Sequence, residues 1–251
     1  MRTLLAVLMA LFTMSSYAEP SVVELRQYKI FPGKRDQMIS VFDGKLIEGQ
    51  EDVGMRLLGQ FRDLDDPNRF TWMREFANME ARGKALTDFY TGAVWKAHRS
   101  EANPLLEDND NVLLLRPVTP ELAIKAPPVS ERAKVGDKPS AAQTIVATIY
   151  YLWKDPAEGF TQFFTTRLAP ELGMPVLGAY VTETTPNNFP ALPVRQHEKV
   201  FVWFTRTQDA TDYDRLQTKL ESTELGRELK DYQERAAQVL RLAPTSRSSL
   251  R

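Results

Sequence analysis

The sequence predicts an α+β fold made of two ferredoxin-like βαββαβ repeats that pack sheet to sheet. Three β-rich segments recur in the same order in the two halves of the chain. The recurring pairs are Val22–Tyr28 with Thr144–Tyr150, Phe70–Arg74 with Phe201–Thr205, and Val112–Pro117 with Val239–Pro244. Helical periodicity fills the gaps between these segments, which gives each half the order strand, helix, strand, strand, helix, strand. In the third strand Trp72 and Met73 point to opposite faces, so both faces of the sheet must be covered.

The elements of the first repeat follow from local periodicity and from turn residues. Pro32-Gly33 ends the first strand, and Met38, Phe42 and Leu46 then recur at helical spacing. The predicted elements are strand Val22–Ile30, a helix from Lys34 to about Gly49, strands Met55–Phe61 and Arg69–Phe76, a helix from Met79 to about Ala97, and strand Val112–Arg116.

The second repeat follows the same order, with one insertion. The predicted elements are strand Ile145–Trp153, a helix marked by Phe160 to Leu168, strands Val176–Val181 and Lys199–Thr205, a long helix marked by Tyr213 to Val239, and a short strand Leu240–Ala243. The insertion Glu183–Glu198 is too rich in proline for regular structure. We expect it to form a long hairpin loop that covers a neighbouring surface.

The chain divides into a predicted signal peptide and four further segments. Residues 1–18 combine a positive start, a short apolar run and small residues at a cleavage site, which is typical of export. The other segments are repeat 1 (19–117), a Pro-rich linker (118–143), repeat 2 (144–245) and a tail (246–251) that we expect to be frayed. We therefore expect a secreted protein, periplasmic if the source is a Gram-negative bacterium.

Composition narrows the classes of function. The net charge is −1, so no basic surplus indicates a nucleic-acid partner. The mature chain has no stretch long and apolar enough to predict a membrane span. The chain has no cysteine, which excludes disulfides, thiolate metal sites and thiol catalysis. A duplicated chain is expected to be a monomer with an internal pseudo-dimer, and further dimerisation stays open.

The first half resembles the NIPSNAP family of the dimeric α/β-barrel superfamily. The resemblance is carried by a set of short motifs, none of which is specific alone. These motifs are Glu24-Leu25-Arg26-x-Tyr28, Pro32-Gly33-Lys34, Leu57-Leu58-Gly59, Trp72-Met73-Arg74, Trp95 and Leu114-Leu115-Arg116-Pro117. The second half departs from them, with Ala147 and Ile149 or neighbours in place of Glu24 and Arg26, and Thr205 and Leu225 in place of Arg74 and Trp95. The resemblance implies two tandem copies that form a pseudo-dimeric α/β barrel.

Five residues form the candidate ligand site. Alternation puts Glu24, Arg26 and Tyr28 on one face of the first strand, and Trp72 and Arg74 share a face of the third. On the inner face of the barrel they would form a pocket in which arginines hold an anionic group and Trp72 supplies an apolar wall. A structural alternative is that Glu24 only neutralises the arginines and fixes the register of the sheet. A catalytic alternative makes Glu24 or Tyr28 the proton-transfer group of a cofactor-independent monooxygenase or isomerase.

The remaining polar residues point to no metal or cofactor, and we predict none. The two histidines are His98, near the end of a helix, and His197, in the inserted loop. Relatives in the superfamily include haem enzymes with a histidine ligand on a helix, so His98 is the one candidate for iron. The leading hypothesis is a non-catalytic barrel that binds a small amphipathic or anionic molecule. A protein-interaction module is the third alternative.

Overall fold

The computed structural model describes residues 21–138 and 143–251 of the chain. The predicted signal peptide, residues 1–18, lies outside the described residues. The strands are β1 (Val22–Ile30), β2 (Arg56–Asp63), β3 (Arg69–Phe76), β4 (Leu106–Asp108), β5 (Val112–Pro117), β6 (Thr144–Leu152), β7 (Gly178–Thr182), β8 (Val200–Thr207) and β9 (Gln233–Pro244). The helices are α1 (Arg35–Val41), α2 (Ile47–Glu51), α3 (Met79–Thr91), α4 (Ala93–Ala102), α5 (Phe160–Phe163), α6 (Ala169–Leu172), α7 (Ala210–Glu221) and α8 (Glu224–Tyr232). Among these helices none combines the length and apolar character that crossing a membrane requires.

Eight of the strands close into one antiparallel barrel. The order around it is β3-β2-β9-β6-β8-β7-β5-β1, and β1 pairs with β3 to close the ring. The short strand β4 pairs only with the end of β1. The halves join edge to edge where β2 pairs with β9 and where β5 pairs with β7. The predicted mixed α/β class is confirmed, and closure leaves no open edge on these eight strands.

The two faces of the barrel wall bury different cores. Alternate side chains of β1, such as Val23 and Leu25, point inward and meet Val202 and Phe204 of β8 and Leu242 of β9 in an apolar barrel interior. The intervening side chains point outward and are covered by helices. The first half packs its outward face under α1 to α4, and the second half packs its own under α5 to α8.

The pairing in the second half follows that in the first. On β1 and β3, Glu24 lies opposite Arg74, while on β6 and β8 Val146 lies opposite Thr205. Each half also interrupts its first helical stretch with a π-helical segment, Phe42–Leu46 in one and Phe164–Leu168 in the other. Each π-helical segment begins 12 residues after the last residue of the preceding strand, Ile30 in one half and Leu152 in the other.

The prediction of one long helix from Tyr213 to Val239 was wrong. The helical stretch breaks between α7 and α8 and ends at Tyr232, and β9 runs from Gln233 to Pro244 rather than from Leu240 to Ala243. Over this length β9 pairs with β6, from Leu152↔Gln233 to Ile145↔Leu242. The gain of a sheet partner overrides the helical pattern of the local sequence.

The tail does not fray, contrary to the expectation. The backbone amides of Thr245 and Leu250 donate to the carbonyl oxygens of Gln60 and Leu58 on β2 at 2.8 Å each. The side chain of Arg247 is only 5 % exposed. It donates to the backbone carbonyl oxygens of Ala133 and Asp43, and it forms an ion pair with Glu48. These hydrogen bonds and the ion pair therefore hold the C-terminal residues against the first half of the barrel.

Candidate functional site

The structure brings the five predicted site residues together, but on the other face of the sheet. Arg26 lies opposite Trp72 and Tyr28 opposite Phe70 in the β1–β3 ladder, so the period-two reasoning that grouped them holds. The inner face of the barrel, where the pocket was expected, is instead filled by their apolar neighbours. The five side chains lie between the barrel wall and the helices of the first half, where Tyr28 and Trp72 belong to the helix-covered core.

Glu24 is the centre of a buried cluster of three arginines. Its Oε2 accepts from Arg26 Nη1 at 2.8 Å and from Arg74 Nε at 2.8 Å, with Arg74 Nη2 at 2.7 Å. Its Oε1 accepts from Arg82 Nε at 2.8 Å, with Arg82 Nη2 at 2.7 Å. All four side chains are fully buried.

Sequence reasoning missed Arg82, which lies on α3. The signal that could have found it is a charged residue on the apolar face of a helix, since Arg82, Leu86 and Phe89 recur at helical spacing and are all buried. A cation in such a stripe predicts a buried partner.

The cluster keeps Glu24 ionised. Burial alone would raise the pKa of this carboxyl, but the nearby guanidinium groups, with Arg74 the strongest, hold it well below its usual range. Burial raises the pKa of Tyr28 above that of a free phenol, although Arg26 opposes the shift. At neutral pH the site therefore contains a carboxylate that is a weak base and a phenol that keeps its proton.

The cluster carries two more positive charges than its carboxylate can balance. The surplus donors meet neutral acceptors: Arg26 Nε donates to the Tyr28 hydroxyl at 3.0 Å and Arg74 Nη1 to Gln50 Oε1 at 3.0 Å. Arg26 Nη2 is buried and has no hydrogen-bond partner among the described residues. The Arg26 guanidinium lies 5.5 Å from the ring of Trp72, within cation–π range, and the indole Nε1 of Trp72 is likewise buried without a partner.

A small cavity adjoins the cluster through Tyr28, Gln50 and Trp72, which contact Arg26 or Arg74 and also line the cavity. It holds about 80 Å³, and its walls are mostly aromatic and aliphatic. Its lining includes Tyr28, Phe42, Gln50, Trp72, Phe89, Tyr90, Trp95, Ala102 and Leu192. A water needs about 10–15 Å³ of such space, so the cavity has room for roughly five to eight water-sized groups.

The inserted loop of the second half covers this site. Asn187 and Asn188 accept from Arg82 Nη1 at 3.0 Å and 2.7 Å through their side-chain oxygens. The ring of Phe189 stacks on Tyr90 with 5.8 Å between centroids, and Leu192 lines the cavity. The expectation that this loop covers a neighbouring surface is met, since one half supplies a wall of the other half's cavity.

The second half carries no such ionic cluster at the equivalent positions. The register places Val146 and Thr148 where the first half has Glu24 and Arg26, and Thr205 where it has Arg74. The prediction that Ala147 and Ile149 stand in place of Glu24 and Arg26 was wrong, because these two side chains point into the barrel interior.

The helices of the second half, α7 and α8, also lack charged residues at the equivalent positions of the cluster. The helix pairs α3–α4 and α7–α8 start and break at the same spacing. This spacing places Tyr213 at the position of Arg82. It also places Gly226, and not Leu225 as predicted, at the position of Trp95. Tyr213 and Thr148 share a hydrogen bond where the first half has its cluster. Uncharged groups thus replace all four ions in the second half, with Val146 in place of Glu24 and hydroxyl-bearing side chains in place of the arginines.

Neither histidine belongs to a cluster of side chains that could bind a metal ion among the described residues. His98 Nδ1 lies 2.9 Å from Glu101 Oε1 on the same helix, and His197 is exposed in the inserted loop. Across residues 21–138 and 143–251, no group of three or more His, Cys, Asp or Glu side chains is arranged to hold a metal ion. The contact between His98 and Glu101 is an ordinary ion-pair distance.

Comparison with solved structures shows which proteins share this fold. The chain is similar to a proposed monooxygenase of Lactobacillus acidophilus NCFM, at 14% identity and a TM-score of 0.52, over 90% of this chain and 94% of that one. A proposed monooxygenase of Fusobacterium nucleatum matches at 11% identity and a TM-score of 0.53, over 90% and 93% of the two chains. An anthrone oxidase-like protein matches at 9% identity and a TM-score of 0.51, over 90% and 92%. Identities this low show a shared fold alone.

Comparison of the sequence with known families gives a match for one segment of the chain. No curated protein matches the chain. The family model described as NIPSNAP matches residues 23–120, which contain Glu24, its three arginines and most of the cavity lining. The resemblance found in the sequence motifs is thus confirmed for this segment, which is less than half of the chain.

Proposed function

We propose that the protein binds a small amphipathic molecule with an anionic group in the aromatic cavity of the first half. The observation that carries this proposal is the surplus of buried positive charge directly behind the cavity wall, where Tyr28, Gln50 and Trp72 contact Arg26 and Arg74. Three arginines surround one carboxylate, and Arg26 Nη2 has no hydrogen-bond partner among the described residues. The aromatic walls suit an apolar body, and the donors suit a carboxylate or a comparable anion.

The surplus charge distinguishes binding from a purely structural role. Fixing the register between β1 and β3 needs one ion pair, which Glu24 and Arg74 already form. Burying two further guanidinium groups costs several kcal/mol of desolvation per ion, which neutral acceptors offset only in part. An anion beside Arg26 would balance a charge that the protein leaves unbalanced.

The same electrostatics disfavour proton-transfer chemistry at Glu24. A general base works best with a pKa near the operating pH, whereas the arginines hold the pKa of Glu24 far below it. Tyr28 keeps its proton and can serve as a donor. The monooxygenase reaction stated for the similar solved structures therefore finds no base in this cluster, and binding is the function that the geometry supports best.

Two further proposals concern the whole chain. We propose that its halves are tandem NIPSNAP-like copies of one ferredoxin-like βαββαβ unit, supported by the matching ladder registers, π-helical segments and helix breaks. In that arrangement one chain acts as its own dimer. We also propose that residues 1–18 direct export, which the sequence pattern alone supports.

A titration with benzoate tests the binding proposal. Benzoate joins a flat apolar ring to a carboxylate, and the fluorescence of Trp72 and Trp95 in the cavity wall reports its binding. Ala102 lines the cavity and is 3 % exposed, so Ala102→Leu fills space that the ligand needs. Ala97→Leu is the matched control, since Ala97 lies exposed on the same helix.

We expect saturable binding that Ala102→Leu weakens at least tenfold and that Ala97→Leu leaves unchanged. Native mass spectrometry of protein purified from its own host gives an independent measure, as a retained organic acid would appear as added mass. Benzoate binding that is indifferent to Ala102→Leu would contradict the proposal. So would an apo mass together with no saturable binding of benzoate.

A further inference from the structure

The second half has a wide groove where the first half has its small cavity. The groove lies between α7, α8 and β9 and holds about 620 Å³. Tyr150 and Leu220 line it, at the positions that Tyr28 and Phe89 occupy beside the cavity of the first half. Pockets that bind small molecules typically measure about 300–1,000 Å³. The groove is therefore within the range of a ligand-binding site and much larger than the cavity.

Two substitutions explain why the groove is wide. Tyr90 and Trp95 narrow the cavity of the first half, and Glu221 and Gly226 stand at their positions in the second half. Gly226 is buried where α8 crosses the end of α7, and a Cβ there would collide with the carbonyl oxygen of Leu220. Glycine is thus required by the helix crossing, and no side chain can fill the space above it.

The groove combines an apolar floor with donors that lack partners. Leu229 and Val239 are among its apolar lining. Gln217 Nε2 and the hydroxyl of Tyr150 are buried and have no hydrogen-bond partner among the described residues. Unpartnered buried donors cost stability, so they favour a ligand that supplies acceptors.

The rim carries charges of both signs, since Asp214 and Glu221 line the groove along with three cations. Lys230 is exposed at the edge of the groove and forms no ion pair within the described part of the chain. Arg235 and Arg241 also line the groove, each already paired with carboxylates. Lys230 is accordingly the cation that can meet an anionic group on a bound molecule.

We infer that this groove is a second binding site, for an organic anion whose apolar body is larger than the first cavity admits. The apolar part lies on the floor between β9 and α8, and the anionic group meets Gln217 Nε2 and Lys230. The inference stands apart from the proposal for the first half, because it rests on different residues and a different space.

A titration with 8-anilinonaphthalene-1-sulfonate tests the inference, since this probe joins fused and single aromatic rings to a sulfonate and fluoresces in apolar surroundings. Ala236 is an exposed groove residue on β9, so Ala236→Trp obstructs the groove on a strand that tolerates aromatic residues. Val129→Trp adds the same side chain at another exposed position, 50% accessible, and is the matched control. We expect one saturable site, weakened at least tenfold by Ala236→Trp and unchanged in Val129→Trp and Ala102→Leu.

Two further variants test the polar contacts. Gln217→Leu removes an unpartnered donor, so we expect the thermal midpoint to hold or rise while probe affinity falls about fivefold. Lys230→Glu should weaken binding about threefold, whereas Lys219→Glu, an equal charge change outside the groove, should not.

Three outcomes would overturn the inference. The first is the absence of saturable probe binding, and the second is binding that Ala236→Trp leaves intact. The third is self-association in sedimentation experiments that Ala236→Trp abolishes, which would assign the groove to a second copy of the chain.

Discussion

Neutralising Glu24 should destabilise the protein more than any other single charge removal in the first half. Glu24→Gln keeps the shape of the side chain but leaves Arg26, Arg74 and Arg82 buried without an anion. Removing one partner of a buried ion pair costs about 3–5 kcal/mol. For a chain of this length each kcal/mol lowers the melting temperature by about 2–4 °C, so we expect a fall of roughly 6–20 °C.

Urea unfolding followed by circular dichroism measures this effect, with Glu107→Gln as the control. Glu107 pairs with Lys29 on the exposed surface, where solvent screening leaves an ion pair little effect on stability. A free energy of unfolding for Glu24→Gln within 1 kcal/mol of wild type would refute the account of the cluster.

The pH dependence of stability gives a second readout of Glu24. Its pKa is lower in the folded state than in the unfolded state, so its contribution is complete above the ordinary glutamate pKa of about 4.3 and declines as pH falls below it. Glu24→Gln lacks this contribution at every pH. The difference in stability between wild type and variant should therefore narrow on acidification from pH 5 to pH 2.

Three further predictions concern the surroundings of the site. Burial raises the pKa of Asp43 to about 6, so the cost of its charged form grows as pH rises from the ordinary aspartate pKa of about 3.9 and is complete above about 6. Asp43→Asn should therefore raise the melting temperature at pH 8 by more than at pH 4. Ending the chain after residue 245 removes the contacts of Arg247 with Glu48 and of Leu250 with β2, and should lower the free energy of unfolding by about 2–4 kcal/mol in urea titrations. Asn188→Ala removes the 2.7 Å hydrogen bond from Arg82, so limited proteolysis should cut the inserted loop several times faster than in wild type.

Strand positions could be predicted well because their pattern is local. Arg69–Phe76 was predicted with the bounds that the structure shows, since aromatic and β-branched residues alternate there between two turns. The grouping of Glu24 and Arg26 with Trp72 and Arg74 also followed from period two and antiparallel pairing. Which side of the sheet they face did not follow, because both faces are apolar and only the position of the helices distinguishes them.

Long-range contacts account for what the sequence did not predict. Gln233 to Gln238 are mostly good helix formers, and only pairing with β6 makes them a strand. Arg82 meets Glu24 from a helix, and Asn187 meets Arg82 from a loop of the other half. The tail is short and polar, so nothing local indicated that Arg247 would be buried.

The loop that carries Asn187, Asn188 and Phe189 shows what a single chain can do that two identical subunits cannot. In a symmetric dimer every change in a loop occurs twice, so both ligand spaces must be closed or opened together. Here the loop of one half extends over the other, while the hairpin of the first half contacts the groove residue Arg241 through Leu64 and Asp65. The covalent link between the halves thus permits one small cavity covered by a loop and one wider groove in the same molecule, each free to change without altering its counterpart.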